Sequence, residues 1–195
     1  MVNVINANKE IFRSIRKSAF LQCHLNIYSL ISPFCRGLHV LDVGCGFGWG
    51  TNILTENASH VIGIDPDQFR ISFAKEHFET DILSFECTSL MDFYPVKIIN
   101  VVTAIQVIQY QEQPSKFYEK ISDLLMDDGK LILVTKVAGI FSDINEDAIM
   151  KMLLSYGEKS LLKLQKWQTI NNTIDHSDAY SNTLQFFLGI WSKNN

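Results

Sequence analysis

The chain has 195 residues, 47% of them hydrophobic and 19% charged, with a net charge of −4. That length suits one domain with a proper core, and no stretch approaches the roughly 18–20 uninterrupted apolar residues of a membrane span. The first residues lack the basic segment and apolar run of a secretory leader, and the acidic balance disfavours nucleic acid, whose partners usually carry a basic stripe.

The nearest thing to such a stripe, Arg13-Ser-Ile-Arg16-Lys17, reads as a solvated helix face. The four cysteines, Cys23, Cys35, Cys45 and Cys87, form no Cys-x-x-Cys pair. They read as reduced thiols of a cytoplasmic protein, with no metal site.

In chain order, residues 8 to 35 predict one or two helices, with Ile11, Phe12, Ile15 and Ala19, then Leu25, Tyr28 and Ile31, at helical spacing. Leu38–Val43 reads as a buried strand, followed by glycine-rich sequence and a helix through Thr51–Glu56. Val61–Asp65 is the next strand, and Asp67–Phe78 the helix after it. Leu83–Glu86 is a short third strand, and Ile98–Ile105 is a β-branched run of the kind that lies centrally in a parallel sheet. Pro114 to Met126 predicts a helix ended by a left-handed Gly129, ahead of a fifth strand, Lys130–Thr135. Residues 146 to 163 predict a further helix, and apolar runs at Leu162–Leu164 and Thr183–Trp191 could add an antiparallel strand pair around a polar loop, Asn171 to Asn182.

Strands alternating with helices imply right-handed βαβ units, hence an α/β, doubly wound, mostly parallel, Rossmann-like sheet. The chain therefore reads as a single domain over 1–195. It divides into a helical cap (1–36), a ligand-binding core (37–136) and a C-terminal helix with terminal strands (137–195).

Doubly wound sheets bind ligands at the carboxyl ends of strands, where strand order reverses. Gly44-Cys-Gly46-Phe-Gly48 stands at the end of the first strand, where glycines allow a sharp turn and close approach of backbone N–H groups. Asp42 closes that strand, and Asp65 closes the second, where a carboxylate can accept both hydroxyls of a ribose. The alternative for Asp65 is a cap on the helix after Pro66.

Val40-Leu-Asp-Val-Gly-Cys-Gly-Phe-Gly-Trp-Gly50, with Val61-Ile-Gly-Ile-Asp-Pro66, resembles the first two motifs of the class I S-adenosylmethionine-dependent methyltransferases. Asp127-Asp-Gly-Lys-Leu-Ile-Leu-Val134 is similar to their fifth-strand signature, so the resemblance covers roughly residues 37 to 136. It implies that S-adenosylmethionine binds with Gly44, Cys45 and Gly46 at its methionine part, Asp42 near its amino group and Asp65, with Pro66, at the ribose. Thr88, Ser89 and Leu90 would flank the adenine, and Gln106 would line the methionine end.

Two departures stand out. Where many members carry an acid beside the adenine, this chain offers Thr88 and Ser89, and where a common pattern ends in Glu-His, it reads Gln106-Val-Ile-Gln-Tyr110. The rival reading, a dinucleotide oxidoreductase, fits less well, because Asp42 beside a pyrophosphate is repulsive and beside a cationic amino group attractive.

The expected reaction is in-line transfer of the methyl group to a small molecule or sugar, in which positioning can supply roughly 7–11 kcal/mol. Catalytic candidates are His24 and Tyr28, four apart on one helical face, and Tyr110 after the fourth strand. A non-catalytic partner subunit of the same fold is the other hypothesis. Phe47 and Trp49 beside the turn could form an apolar pocket, whereas Trp167, Phe186, Phe187 and Trp191 read as core.

Overall fold

The computed structural model describes residues 19–136, 151, 155, 160, 162–174 and 182–193. One seven-stranded sheet organises them. Its strands are β1 (His39–Val43), β2 (His60–Asp65), β3 (Leu83–Cys87), β4 (Ile99–Ile105), β5 (Leu125–Lys136), β6 (Leu162–Ile174) and β7 (Asn182–Lys193), in the order β3-β2-β1-β4-β5-β7-β6. The first five run parallel, and β7 lies antiparallel between β5 and β6. The doubly wound expectation and the terminal antiparallel pair are both observed.

The short β-branched strands pack on both faces because successive side chains point to opposite sides. Leu41, Val102 and Leu133 face a core closed by Phe117, Tyr118 and Ile121 of helix α4 (Pro114–Leu124). Val40, Val101 and Ile132 face the other, closed by α1 (Ala19–Ile31), α2 (Trp49–Leu54) and α3 (Gln68–Phe78) through Ile27, Leu54 and Ile71. Three of the late aromatics are core, as expected, with Trp191 and Phe187 under α4 and Phe186 on the opposite face; the Trp167 side chain lies outside what the structure describes.

Three expectations are corrected. Helix α4 ends at Leu124, not Met126, and the left-handed residue is Asp128 (φ 62°), not Gly129. Leu125 already pairs with Ile99, so the backbone joins the sheet early and Met126–Gly129 bulges out before Lys130 pairs with Val101. Asp supplies the left-handed conformation there because its short polar side chain tolerates it. The polar stretch from Asn171 is not all loop: β6 runs to Ile174, with Asn172 opposite Leu184 and Thr173 opposite Thr183. Ladder hydrogen bonds come from the backbone, so a hairpin can outrun its apolar side chains. The predicted helix at 146–163 and residues 8 to 18 fall largely outside the described residues.

Candidate functional site

Strand order reverses between β2-β1 and β4-β5, which makes the carboxyl ends of β1 and β4 the switch point. There the chain turns through Gly44 (φ 70°), Gly46 (φ 55°) and Gly48 (φ 79°). Ile64 O, at the end of β2, accepts from both Gly44 N (2.8 Å) and Cys45 N (3.0 Å), tying the turn to the neighbouring strand. At Gly44 a side chain is excluded twice over, by the left-handed backbone and by Val107 Cγ2, 2.6 Å from where a Cβ would stand. At Gly46 a Cβ would meet open space.

Two cavities flank the turn, and Gly44 lines both. The smaller, about 130 Å³, lies among Val43, Ile64, Pro66, Thr88, Ser89 and Leu90. The larger, about 290 Å³, is lined from α1 by His24 and Tyr28, from the turn by Cys45, Gly46, Phe47 and Trp49, and from the far side by Arg70, Gln106 and Tyr110. The structure therefore gathers the candidates Gly44, Cys45, Gly46, Pro66, Thr88, Ser89, Leu90, Gln106, His24, Tyr28 and Tyr110 around one switch point.

Asp42 lies beneath the turn, with no exposure to solvent. Its carboxylate accepts from Thr51 Oγ1 (2.7 Å), Thr103 Oγ1 (2.7 Å) and Tyr28 Oη (3.1 and 3.2 Å to the two oxygens). Burial raises its pKa to about 6, partly offset by the three hydroxyls, while the Asp65 charge adds to the rise. The Tyr28 ring reaches this position across Gly50, where a Cβ would collide with the ring. Tyr28 is held well above the usual tyrosine pKa, first by burial and then by the Asp42 charge, so a phenolate there is unfavourable. The sequence reading took Tyr28 only as a candidate base; its partner stands 14 positions away.

Asp65 ends β2 and bridges the turn to α3. Its Oδ2 accepts from Gly46 N (3.0 Å) and its Oδ1 from Asp67 N (2.9 Å). The cap on α3 is Asp67, whose Oδ1 accepts from Phe69 N (2.9 Å) and Arg70 N (3.2 Å), so capping does not account for Asp65. Arg70 was not foreseen. Its guanidinium lies 3.9 Å from Asp65, 3.4 Å from Asp67 and 5.9 Å from the Phe47 ring centre. Spacing alone would place Arg70 on the first turn of the helix after Asp65, which is the signal that could have found it.

On the adenine-side candidates, Ser89 Oγ donates to Asp92 Oδ2 (2.6 Å), a carboxylate two residues beyond Leu90. Gln106 ends β4 with a left-handed backbone (φ 58°), unusual for a residue with a side chain, and its buried Nε2 has no hydrogen-bond partner among the described residues. Glycines that clear a cradle, a carboxylate at the end of β2 and an unsatisfied amide in the cavity wall together fit a polar ligand laid across the switch point.

Comparison with known proteins bears on the ligand. A methyltransferase-domain family model matches residues 35–185. The chain is 30% identical over 123 residues to a ubiquinone biosynthesis O-methyltransferase of Bradyrhizobium diazoefficiens, covering 62% of this chain and 48% of that protein. It is 32% identical over 111 residues to a tRNA U34 carboxymethyltransferase of Alteromonas mediterranea, covering 52% and 33%. The chain thus spans about half the length, or less, of these relatives. In fold it is similar to the YcgJ protein of Bacillus subtilis, with a TM-score of 0.70 at 15% identity over 89% of this chain and 99% of that one. The N-methyltransferase NodS from Bradyrhizobium japonicum, in complex with S-adenosyl-L-homocysteine, gives 0.66 at 14% over 89% and 87%. The motif turn, the strand order and the family match agree: the chain belongs to the class I S-adenosylmethionine-dependent methyltransferase family.

Proposed function

We propose that the chain transfers the methyl group of S-adenosylmethionine to a small-molecule acceptor. The observation that carries this reading is that Gly44 lines both cavities at the switch point, so one elongated ligand can pass over it. Pro66, Thr88, Ser89 and Leu90 would take the adenine, Asp65 the ribose, and Gly44, Cys45, Gly46 and Gln106 the methionine end. Asp42 would act through its field rather than by contact, favouring the cofactor's cationic amino group and disfavouring a pyrophosphate.

When bound, the cofactor supplies an electrophilic methyl group on a sulfonium. The protein's part is to hold the acceptor in line with it, in a cavity walled by Leu21, Leu25, Phe47, Trp49 and Ile105. His24 is the imidazole in that wall, placed to take a proton from an acceptor hydroxyl or amine, a contribution of about 10²–10⁴-fold. Tyr28 is engaged by Asp42 and supports the turn. Tyr110, strongly exposed at the rim, is placed to cover the acceptor. Both the O-methyltransferase relative and the apolar wall favour a small acceptor, and the acidic balance speaks against RNA.

Pairing of β7 with β5 inside the core sheet supports reading residues 1–195 as a single methyltransferase domain. No disulfide joins Cys23, Cys35, Cys45 and Cys87, which fits a reducing, cytoplasmic setting.

Calorimetric titration tests the reading. S-adenosylhomocysteine should bind and NADH should not; the reverse result would replace this function with a dinucleotide one. Asp65→Asn should weaken S-adenosylhomocysteine at least about tenfold, a loss of about 1.4 kcal/mol. Unchanged affinity would remove Asp65 from the ribose site. Binding with no turnover over a panel of phenols, amines and sugars would favour the non-catalytic partner subunit.

A further inference from the structure

A chain of three polar side chains runs back from Gln106, in the wall of the larger cavity, and their orientations are forced. Gln106 O is a backbone carbonyl and can only accept. The Gln109 side-chain atom 2.8 Å from it must therefore be the amide nitrogen, Nε2. That places Gln109 Oε1 toward β5, where it accepts from Thr135 Oγ1 at 3.3 Å. The same Gln109 nitrogen lies 3.2 Å from the Gln106 side chain, so the Gln106 atom facing it must be the oxygen, Oε1. Both Gln106 oxygens are thus engaged by one donor group.

What remains is Gln106 Nε2, which is buried and without a hydrogen-bond partner among the described residues, on a residue that lines the cavity. A buried amide N–H left unpaired is costly. Gln106 also carries a left-handed backbone (φ 58°), a strain that persists where the surroundings impose it. An unsatisfied donor, aimed by a strained backbone and clamped by a second amide, describes a site awaiting an acceptor group.

We propose that Gln109 and Thr135 are positioning residues that hold the Gln106 amide with its N–H donors toward the carboxylate of the cofactor. This rests on the cofactor assignment above. The carboxylate is the group that fits, because the donor belongs to a residue that lines the cavity shared by Gly44 and Gly46, and a charged acceptor repays burial of an N–H best.

The test compares two ligands that differ only in that group, S-adenosylhomocysteine and its decarboxylated form, by calorimetry. The wild-type chain should prefer the carboxylated ligand by about 10–100-fold, the range of one hydrogen bond to a charged group. Gln106→Leu should bring the ratio close to one. Gln109→Glu replaces the clamping donor by an acceptor, so the Gln106 amide turns its nitrogen inward and presents its oxygen to the cavity. That variant should lose the preference, chiefly through weaker binding of the carboxylated ligand. Thr135→Val is isosteric and keeps the fold, and it should reduce the preference partially. A role in general packing would weaken both ligands alike and leave the ratio intact, and an intact ratio in folded Gln109→Glu and Thr135→Val overturns the proposal. A wild-type chain that binds S-adenosylhomocysteine but shows no preference also overturns it, whereas one that binds neither ligand overturns the cofactor assignment itself.

Discussion

The Tyr28 hydroxyl of helix α1 donates to the buried Asp42 carboxylate, 3.1 and 3.2 Å from its two oxygens, and so joins the roof of the larger cavity to the strand beneath its glycine turn. Removing the hydroxyl alone, by Tyr28→Phe, keeps the ring across Gly50 and leaves Asp42 with Thr51 and Thr103. The expected cost is about 1–2 kcal/mol in urea unfolding, the range for loss of a hydrogen bond to a buried charge. A variant as stable as wild type would mean that the two threonines satisfy Asp42 without help.

Asp42 should also give stability a pH dependence of unusual sign for a carboxylate. Its folded pKa, about 6, lies above the 3.8 of an aspartate in the unfolded chain. The contribution is therefore fully present below pH about 4 and is lost as pH rises through about 6, by on the order of 2–3 kcal/mol. Asp42→Asn cannot ionise, so the difference in unfolding free energy between wild type and this variant should shift in the variant's favour across that window. A difference that stays flat from pH 4 to 7 would show that Asp42 keeps an ordinary carboxylate pKa.

Gly44→Ala meets two separable obstacles. The left-handed backbone costs about 1–2 kcal/mol for a residue with a Cβ, and contact with Val107 Cγ2 adds overpacking of about 1–3 kcal/mol. The double variant Gly44→Ala, Val107→Ala should recover the contact part and not the backbone part. Full recovery in thermal unfolding would show that sterics, and not backbone conformation, select glycine here.

Asp67 and Asp65 stand two residues apart and should separate cleanly. Asp67→Ala removes the α3 cap at about 1 kcal/mol, with little change in affinity for S-adenosylhomocysteine. Asp65→Asn should do the opposite, affecting affinity more than stability. Equal losses of affinity in the two variants would make both effects a matter of helix order.

What could be read from the residues follows from the range of the interactions involved. β-Branched runs such as Ile99–Ile105 declare themselves locally, because burial on both faces demands apolar residues at most positions. The glycine turn was legible for the same reason: a left-handed backbone restricts its own residue. Asp67 was legible too, because an N-cap carboxylate bonds only the helix that follows it. Partnerships across the fold were not legible. Asp42 meets Thr103, and Gln109 meets Thr135, only because the sheet brings β1, β4 and β5 side by side, and Asp42 meets Tyr28 only because α1 packs over that sheet. The bulge at Met126–Gly129 escaped notice because Gly129 looked like the stop, while Asp128 carries the left-handed angle.

The place of β7 bears on how the sheet is completed during synthesis. Because β7 sits between β5 and β6, the far edge of β5 keeps its backbone donors and acceptors open until Asn182–Lys193 has left the ribosome. A nascent chain carrying every residue of the ligand cradle therefore still presents a bare strand edge, with Phe187 and Trp191 missing from the core under α4. Sheet closure is a late, long-range event, and in that interval the growing chain is most exposed to pairing with a neighbour.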